Sequence, residues 1–172
     1  MKKKMNKAII AVTAIAVVIM MCSSVFAAGS ITKDQAVSKA LKDAGLSKNQ
    51  VTMLKAETEK KKYEVEFIKE KNKAEYDYSI SKKSGRILEK SIDYIYKHNS
   101  SKKKIGKKAA MKKVAKYTKT KLKIVKKGIC TYEYEDNEGT YTVKFKKGNY
   151  FYYCELLAPT GKIIEFEKEY VK

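Results

Sequence analysis

The 172-residue sequence predicts an α+β fold of two tandem units, each with one helix packed on a three- to four-stranded antiparallel meander sheet. The first observation behind this prediction is an internal repeat. A Tyr-x-Val-x-Phe motif starts at Tyr63 and again at Tyr141, and a Ser/Thr-Gly-Arg/Lys-Ile motif starts at Ser84 and Thr160. Each copy also opens with apolar residues at helical spacing, and its later segments alternate apolar and polar residues as strands do.

Residues 1–27 have the pattern of a secretory signal peptide, with cleavage expected before Ala28. A lysine-rich start precedes an apolar run of 14 residues at 8–21, which is shorter than the roughly 20 residues of a membrane span. Export is favoured over two alternatives, an uncleaved N-terminal anchor and lipid attachment at Cys22. The predicted location is therefore secreted or extracellular, with attachment to the cell envelope as a further option.

The rest of the chain divides into a first repeat at 28–97, a polar linker at 98–104 and a second repeat at 105–172. In the first repeat, Thr32 and Gln35 have the spacing of a capping box that begins a helix. The buried side of this helix is predicted to hold Val37, Ala40, Leu41 and Ala44, and Gly45 is placed to end it. In the second repeat Gly106 replaces the capping threonine, and the apolar stripe is Ala110, Val114 and Tyr117.

The strands are predicted to bury one face of each sheet, with Tyr63, Val65, Phe67, Tyr76, Tyr78 and Ile80 facing the core. In the second repeat a two-residue turn at Gly148 and Asn149 pairs Val143 with Cys154. A four-residue turn at 136–139 pairs Tyr134 with Tyr141 and so places Cys130 opposite Phe145.

That register bears on the cysteines of the mature chain. Cys130 and Cys154 fall on the same face of strands that flank a central one, about 9.5 Å apart, whereas a disulfide needs Cα atoms within about 7 Å. We therefore expect two free, core-facing thiols. A disulfide stays open as an alternative if the register slips.

The charge is strongly positive, with 39 Lys and Arg against 19 Asp and Glu and a net charge of +20. Residues 102–127 hold thirteen lysines and no acid, and Lys108, Lys112, Lys116 and Lys119 would form one face of the second helix. For an exported protein the matching partners are anionic wall polymers, anionic lipids or an acidic protein, and no nucleic acid is expected. The plain alternative is a solvated helix face.

Two further groups of side chains lie on the predicted solvent faces. Phe151 and Tyr153, beside Thr142 and Lys144, would form a partner-binding patch in the second unit, unless the first unit or a second copy of the chain covers them. In the first unit Glu66 lies opposite Asp77, and Lys90 is expected to neutralise them in place of a metal ion.

Catalytic chemistry has no candidate. The single histidine, His98, stands alone in the polar linker, and the sequence has no Gly-rich phosphate loop, Cys-x-x-Cys or Gly-x-Ser-x-Gly motif. We therefore predict no enzyme activity, no metal and no cofactor.

The Ile-Thr-x-x-x-Ala-x-x-x-Ala helix at Ile31, the Tyr-x-Val-x-Phe and Tyr-x-Tyr-x-Ile strands and the closing Gly-Lys/Arg-Ile resemble the PepSY domain, here in tandem over about 30–95 and 105–170. The second copy departs from the pattern at Gly106 and in the loss of acids from its helix. The resemblance implies a helix packed on an antiparallel sheet, occurrence in propeptides of secreted metallopeptidases and a role in restraining peptidases near the bacterial surface. It supplies no catalytic residues.

The layout is also similar to that of secreted β-lactamase inhibitor proteins, which bind enzymes with a concave sheet. Our leading hypothesis is a secreted, non-enzymatic module that binds and restrains an exported or surface peptidase. The first alternative is an envelope-adhesion protein that holds anionic wall polymer or lipid through its lysine-rich second helix, and the second is a homodimeric structural unit.

Overall fold

The structure of the chain, a computed structural model, describes residues 29–95 and 103–171. The predicted signal peptide, with Cys22, and most of the predicted linker, with His98, lie outside the described residues. The helices are α1 at Lys33–Ala44, α2 at Lys107–Tyr117 and α3 at Leu122–Val125, with 3-10 turns at Lys48–Gln50 and Glu70–Asn72. The strands are β1 at Thr52–Thr58, β2 at Lys62–Lys69, β3 at Ala74–Ser81, β4 at Ile87–Tyr94, β5 at Ile129–Glu135, β6 at Glu138–Lys147, β7 at Tyr150–Leu157 and β8 at Ile163–Tyr170.

Helix α1 begins and ends as its sequence predicts. The Thr32 side chain accepts a hydrogen bond from the Gln35 backbone N–H, and the Gln35 side chain accepts one from the Thr32 N–H, which completes the capping box. At the other end Gly45 has a φ of 69°, and Leu46 N–H donates to the Leu41 carbonyl. This is a Schellman motif, in which glycine takes the left-handed position at no steric cost.

Helix α2 ends in the same motif with a different residue. Lys119 N–H donates to the Lys116 carbonyl, Thr120 N–H donates to the Ala115 carbonyl, and Lys119 itself has a φ of 49°. Lys119 was predicted on the helix face with Lys116, but α2 ends at Tyr117 and Lys119 lies beyond the end. The short helix α3, which the repeat pattern did not predict, follows directly.

The strands form one continuous antiparallel sheet in the order β1-β2-β3-β4-β8-β7-β6-β5. This corrects the expectation of two units with separate three- to four-stranded sheets. The joining contact is between β4 and β8, where Ile92 lies opposite Phe166. In a four-stranded sheet the backbone groups along the outer edge of β4 would have no strand partner, and pairing with β8 supplies one. The chain is therefore α+β with one eight-stranded sheet.

The register of the second hairpin pair is partly as predicted. Across the turn at Gly148 and Asn149, Val143 lies opposite Cys154 as expected. Between β5 and β6 the prediction was wrong by two residues, because Tyr132 lies opposite Tyr141 and Cys130 lies opposite Val143. The reason is a tighter turn than the predicted one: Asp136 and Asn137 both have positive φ, 47° and 64°, as in a two-residue hairpin turn.

The helices all pack on one face of the sheet, where a single apolar core runs from the first half of the chain to the second. Its fully buried members include Val65, Phe67 and Tyr78 from the first half and Val143 and Cys154 from the second. Cys130 and Cys154 both lie opposite Val143, on strands either side of it, and both thiols are free and buried. Within the described residues, none of the helices has the length and apolar character that crossing a membrane requires.

Candidate functional site: the open face of the sheet

The sheet face that points away from the helices is called here the open face. Antiparallel partners share a face, so the register identifies its residues. One cross-strand row reads Glu66, Asp77, Ser91, Glu167, Tyr153 and Lys144 across β2, β3, β4, β8, β7 and β6. The predicted carboxylates of the first half and the predicted aromatic patch of the second half therefore lie on one line of one surface.

The predicted patch on β6 and β7 is assembled by direct cross-strand pairs. Lys144 lies opposite Tyr153, and its Nζ is 5.2 Å from the centre of the Tyr153 ring. Thr142 lies opposite Glu155, whose carboxylate accepts a hydrogen bond from the Tyr153 hydroxyl at 3.3 Å. Phe151 keeps 38% of its surface exposed. The first half of the chain continues the sheet beside this patch and does not fold over it.

The carboxylates form a larger group than the sequence suggested. Ten acids of β2, β3, β4, β8 and β7 face the open side, and we call them the acidic block: Glu64, Glu66, Glu75, Asp77, Glu89, Asp93, Glu155, Glu165, Glu167 and Glu169. Lys62 is the one cation on the same face of these five strands, and it pairs with Glu64. A protein with a net charge of +20 thus has one strongly negative surface.

Crowding of like charges changes the acidity of this surface. Partial burial, together with Glu75, Glu66 and other nearby acids, raises the pKa of Asp77 to about 6. Partial burial, a hydrogen bond with Glu155 and the charges of Glu167 and Asp93 raise the pKa of Glu165 to about 7. Two carboxylates of the acidic block, Asp77 and Glu165, therefore ionise at a higher pH than free carboxylates do.

Lys90 does not neutralise the opposed carboxylates, which corrects the prediction. It lies opposite Tyr78 and Lys168, on the helix side of the sheet, and its Nζ is 2.8 Å from Asp43 Oδ2 on α1. The residue that pairs with Asp77 on β4 is Ser91. A one-residue difference along a strand moves a side chain to the other face, which is why Lys90 cannot reach the open side.

Sequence reasoning missed Asp93, Glu155, Glu165 and Glu167 as parts of one surface. A signal was present in the alternation Glu165-x-Glu167-x-Glu169, which puts three acids on one face of β8. The missing information was the position of β8 beside β4, which brings these acids next to those of the first half.

The opposite side of the molecule is basic. Twelve lysines within residues 103–127 are all exposed and the segment has no acid, and we call them the lysine layer. The predicted residues Lys108, Lys112 and Lys116 lie on α2, and Lys119 lies just beyond its end. The layer and the acidic block lie on different sides of the sheet.

The structure offers little for metal or thiol chemistry within residues 29–95 and 103–171. No group of three or more His, Cys, Asp or Glu side chains is placed there to hold a metal ion. Burial raises the pKa of the Cys154 thiol to about 12 and also raises that of Cys130. Both thiols point into the core rather than toward the open face.

Comparison with known proteins gives the following similarities. Residues 30–90 match the family model described as "Peptidase propeptide and YPEB domain", PepSY. No curated protein matches the chain. Among solved structures the chain is similar to the YpeB C-terminal domain of Bacillus megaterium, with a TM-score of 0.45 and 17% identity, over 80% of this chain and 63% of that one. The chain therefore spans less than two thirds of that structure.

Two other solved structures are less similar. One is a Clostridium difficile protein described as a lipoprotein, with a TM-score of 0.30 and 18% identity over 70% of this chain and 82% of that one. The other is a Bacteroides eggerthii protein described as periplasmic, with a TM-score of 0.27 and 12% identity over 77% of this chain and 86% of that one. The family match ends at residue 90 and does not reach the second predicted repeat. The part of the chain that is similar to the PepSY model, residues 30–90, runs from just before α1 into β4.

Proposed function

We propose that this protein is a non-enzymatic binding module, outside the cytoplasm, that contacts a partner protein through the open face. The observation that carries the proposal is the exposed Phe151 beside the half-buried Tyr153, on a sheet face that the described helices leave uncovered. Aromatic side chains are enriched at the centres of protein interfaces, and the surrounding polar residues suit an interface rim. The similarity to PepSY at residues 30–90 supports a binding role over a catalytic one.

The partner we propose is an exported or surface peptidase, whose activity the contact would restrain. The support is the family description, which names peptidase propeptides, since a propeptide acts by contact with its peptidase. The export part of the proposal is supported by the signal-peptide pattern at residues 1–27.

An inhibition titration tests this function. The chain from Ala28 onward would be added to the exported peptidases of the producing organism, together with a Phe151→Ser/Tyr153→Ser variant and a Lys112→Ser/Lys116→Ser control on α2. We expect the unmodified chain and the control to inhibit equally, and the aromatic variant to inhibit at least about tenfold less well. The proposal fails if no exported peptidase is inhibited by the unmodified chain.

A second candidate function, adhesion to an anionic wall polymer or lipid, is favoured by the lysine layer. Lysine provides diffuse attraction to polyanions, and that attraction weakens as salt rises. Changing Lys108, Lys112, Lys116 and Lys119 to Glu would abolish salt-sensitive binding to isolated envelope or to anionic vesicles if adhesion is the function. Binding that survives this change, with inhibition lost in the aromatic variant, would favour the peptidase function.

We also propose that the second half, residues 105–172, is a diverged copy of the PepSY unit. The support is the shared order of elements, a helical segment followed by four strands in each half, with Tyr63 and Tyr141 in the second strand of each. Related sequences that keep a threonine at the position of Gly106 should match the family model in both halves. Mass measurement of the exported protein in solution would test cleavage before Ala28 and the homodimer alternative together.

A further inference from the structure

A cleft of about 390 Å³ lies on the helix side of the sheet, where the two halves of the chain meet. The C-terminal ends of α1 and α2 form its rims, and strands from both sides of the β4–β8 contact form its floor. Five aromatic rings line it: Tyr76, Tyr94, Tyr117, Tyr152 and Phe166. A volume of this size falls within the range of small-molecule sites, roughly 300–1,000 Å³.

The floor of the cleft holds two lysines in direct opposition. Lys90 and Lys168 are cross-strand partners on the helix side of β4 and β8. Like charges placed directly opposite each other destabilise a sheet. Asp43 pairs with Lys90 at 2.8 Å, whereas the ammonium of Lys168 lies over the Tyr150 ring, 4.2 Å from its centre. Among the described residues, no carboxylate forms an ion pair with Lys168.

The pKa of Lys168 shows that this buried position opposite Lys90 disfavours the charged form of its side chain. Burial lowers the pKa of Lys168, and the charges of Lys90 and Lys147 lower it further, while Asp43 acts in the opposite direction. Lys119 adds a third positive charge to the lining. The carbonyl ends of α1 and α2 and the Asp43 carboxylate together contribute about two negative charges, so the cleft keeps an excess of about one positive charge.

The cleft also offers a hydroxyl donor. The hydroxyls of Tyr94 and Tyr117 are 2.9 Å apart and share one hydrogen bond. Whichever hydroxyl accepts that bond keeps its own hydrogen free for a third group. Lys168, this pair of tyrosines and the other aromatic rings thus line one cleft.

We propose that this cleft is a binding site for a carboxylate carried on an apolar, ring-sized body, held by Lys168 and enclosed by the aromatic walls. The carboxylate would take the place at Lys168 that no described acid fills, and the body would stack on rings such as Tyr152 and Phe166. The site lies on the helix side and is separate from the open face, so it does not depend on the proposed contact with a peptidase.

Two sources can supply this chemistry: a free aromatic or aliphatic acid, and the last residue of a peptide with its C-terminal carboxylate. Isothermal titration calorimetry of the chain from Ala28 onward at low salt would use three probes: N-acetyl-phenylalanine, its carboxamide and the tripeptide Gly-Gly-Phe. The proposal expects the acid to bind at least about tenfold more tightly than the amide. Tighter binding of the tripeptide than of the acid indicates a peptide end, and the reverse order indicates a free acid.

Variants locate the binding on the protein. Lys168→Met should weaken binding of the acid at least about tenfold, and Lys168→Arg should retain most of it. Lys82→Met is a matched control, because the Lys82 ammonium also lies over a tyrosine ring, that of Tyr63 at 5.1 Å, away from the cleft. It should leave binding unchanged.

Thermal unfolding distinguishes a Lys168 that binds a ligand from one that only supports the fold. Since Lys168 is opposed by Lys90, the Lys168→Met variant should melt at a higher temperature than the unmodified chain, and the acid should no longer raise its melting temperature. Equal binding of acid and amide to the unmodified chain would overturn the proposal, and this comparison needs no variant. Unchanged acid binding in Lys168→Met would overturn it as well.

Discussion

At the scale of single residues, Asp77 and Glu165 on the open face lower the stability of the folded chain when they are ionised. Asp77 lies opposite Glu66, and Glu165 lies between Asp93 and Glu155 on neighbouring strands. Each carboxylate has a higher pKa in the folded chain than its ordinary value, because burial and like charges disfavour its ionised form. Such groups favour the folded state when protonated and oppose it when ionised.

The first prediction follows from the sign of these shifts. The folded-state pKa of Asp77 is raised from 3.8 to about 6, so its contribution is fully present below pH 3.8 and is lost as the pH rises through 6. We expect Asp77→Asn to match the unmodified chain in stability near pH 4 and to exceed it by about 1 kcal/mol at pH 8, after allowance for solvent screening. Urea unfolding at several pH values measures this. Glu133→Gln, at an exposed acid outside the acidic block, is the control for replacing a carboxylate by an amide.

The second prediction concerns the two thiols. Cys154 is 0% exposed and Cys130 is 8% exposed, and burial raises the pKa of both. The thiolate is the reactive form, so both cysteines should react more slowly with iodoacetamide than a free cysteine does. Labelling of Cys130 should precede that of Cys154, which needs unfolding first. Mass spectrometry after timed labelling gives the order, and simultaneous labelling of both in the folded chain would contradict it.

At the scale of elements, the two main helices end in the same hydrogen-bonding pattern with unequal residues. The left-handed position is filled by Gly45 after α1 and by Lys119 after α2. This conformation costs a residue with a Cβ roughly 1–2 kcal/mol, whereas glycine adopts it without steric strain. The end of α2 is therefore less stable than that of α1 for a local reason.

The third prediction is that Lys119→Gly stabilises the protein by about 0.5–1 kcal/mol, since the relief of steric strain exceeds the added freedom of the unfolded chain. Lys116→Gly, three residues earlier within α2, should instead destabilise it by about 1 kcal/mol. Urea unfolding of the two variants at one pH makes the comparison. If both substitutions destabilise the protein, then glycine at position 119 does not relieve steric strain.

Patterns among neighbouring residues predicted the helices and strands well. Contacts between residues far apart in the sequence could not be predicted from such patterns. The capping box at Thr32 and the hairpin at Gly148 depend on neighbouring residues and could be read directly. The β5–β6 register was wrong because Asp136 and Asn137 can form either a two-residue or a four-residue turn. Strand β1 lacks clear alternation, and most of its residues are exposed, so the pattern gave no signal there.

The candidate site was predicted in part for the same reason. Phe151 and Tyr153 share a face because they are two residues apart on one strand, which the alternation predicts. The acidic block and the cleft both depend on the contact between β4 and β8, which brings together residues more than 70 positions apart, such as Ile92 and Phe166. No local pattern in the sequence specifies that contact.

At the scale of the whole molecule, β4 and β8 join the two halves into one sheet and one core. Phe166 lies opposite Ile92 and Cys154, and its ring packs against Tyr117 and Tyr152 with centres 5.3 and 6.4 Å apart. It contacts strands from both halves as well as α2. A disturbance at this side chain therefore reaches both halves.

The fourth prediction is a single unfolding transition that Phe166→Ala shifts as a unit. The substitution removes a buried ring and should cost about 3–5 kcal/mol. Far-UV circular dichroism and tyrosine fluorescence should report the same midpoint, before and after the change, because one core supports both halves. A labelled cysteine introduced at the exposed position Ser38 on α1 should show that midpoint too. A first half that keeps its stability in Phe166→Ala would indicate two independent units.

Charge is distributed across this sheet as well as along the chain, with the acidic block on one side and the lysine layer on the other. The molecule therefore carries a permanent electric moment with a large component along the sheet normal. Any anionic surface would attract the whole protein and also rotate it, so that the helices turn inward and the open face turns outward. When the lysine layer is bound to such a surface, the open face would therefore point toward the surroundings.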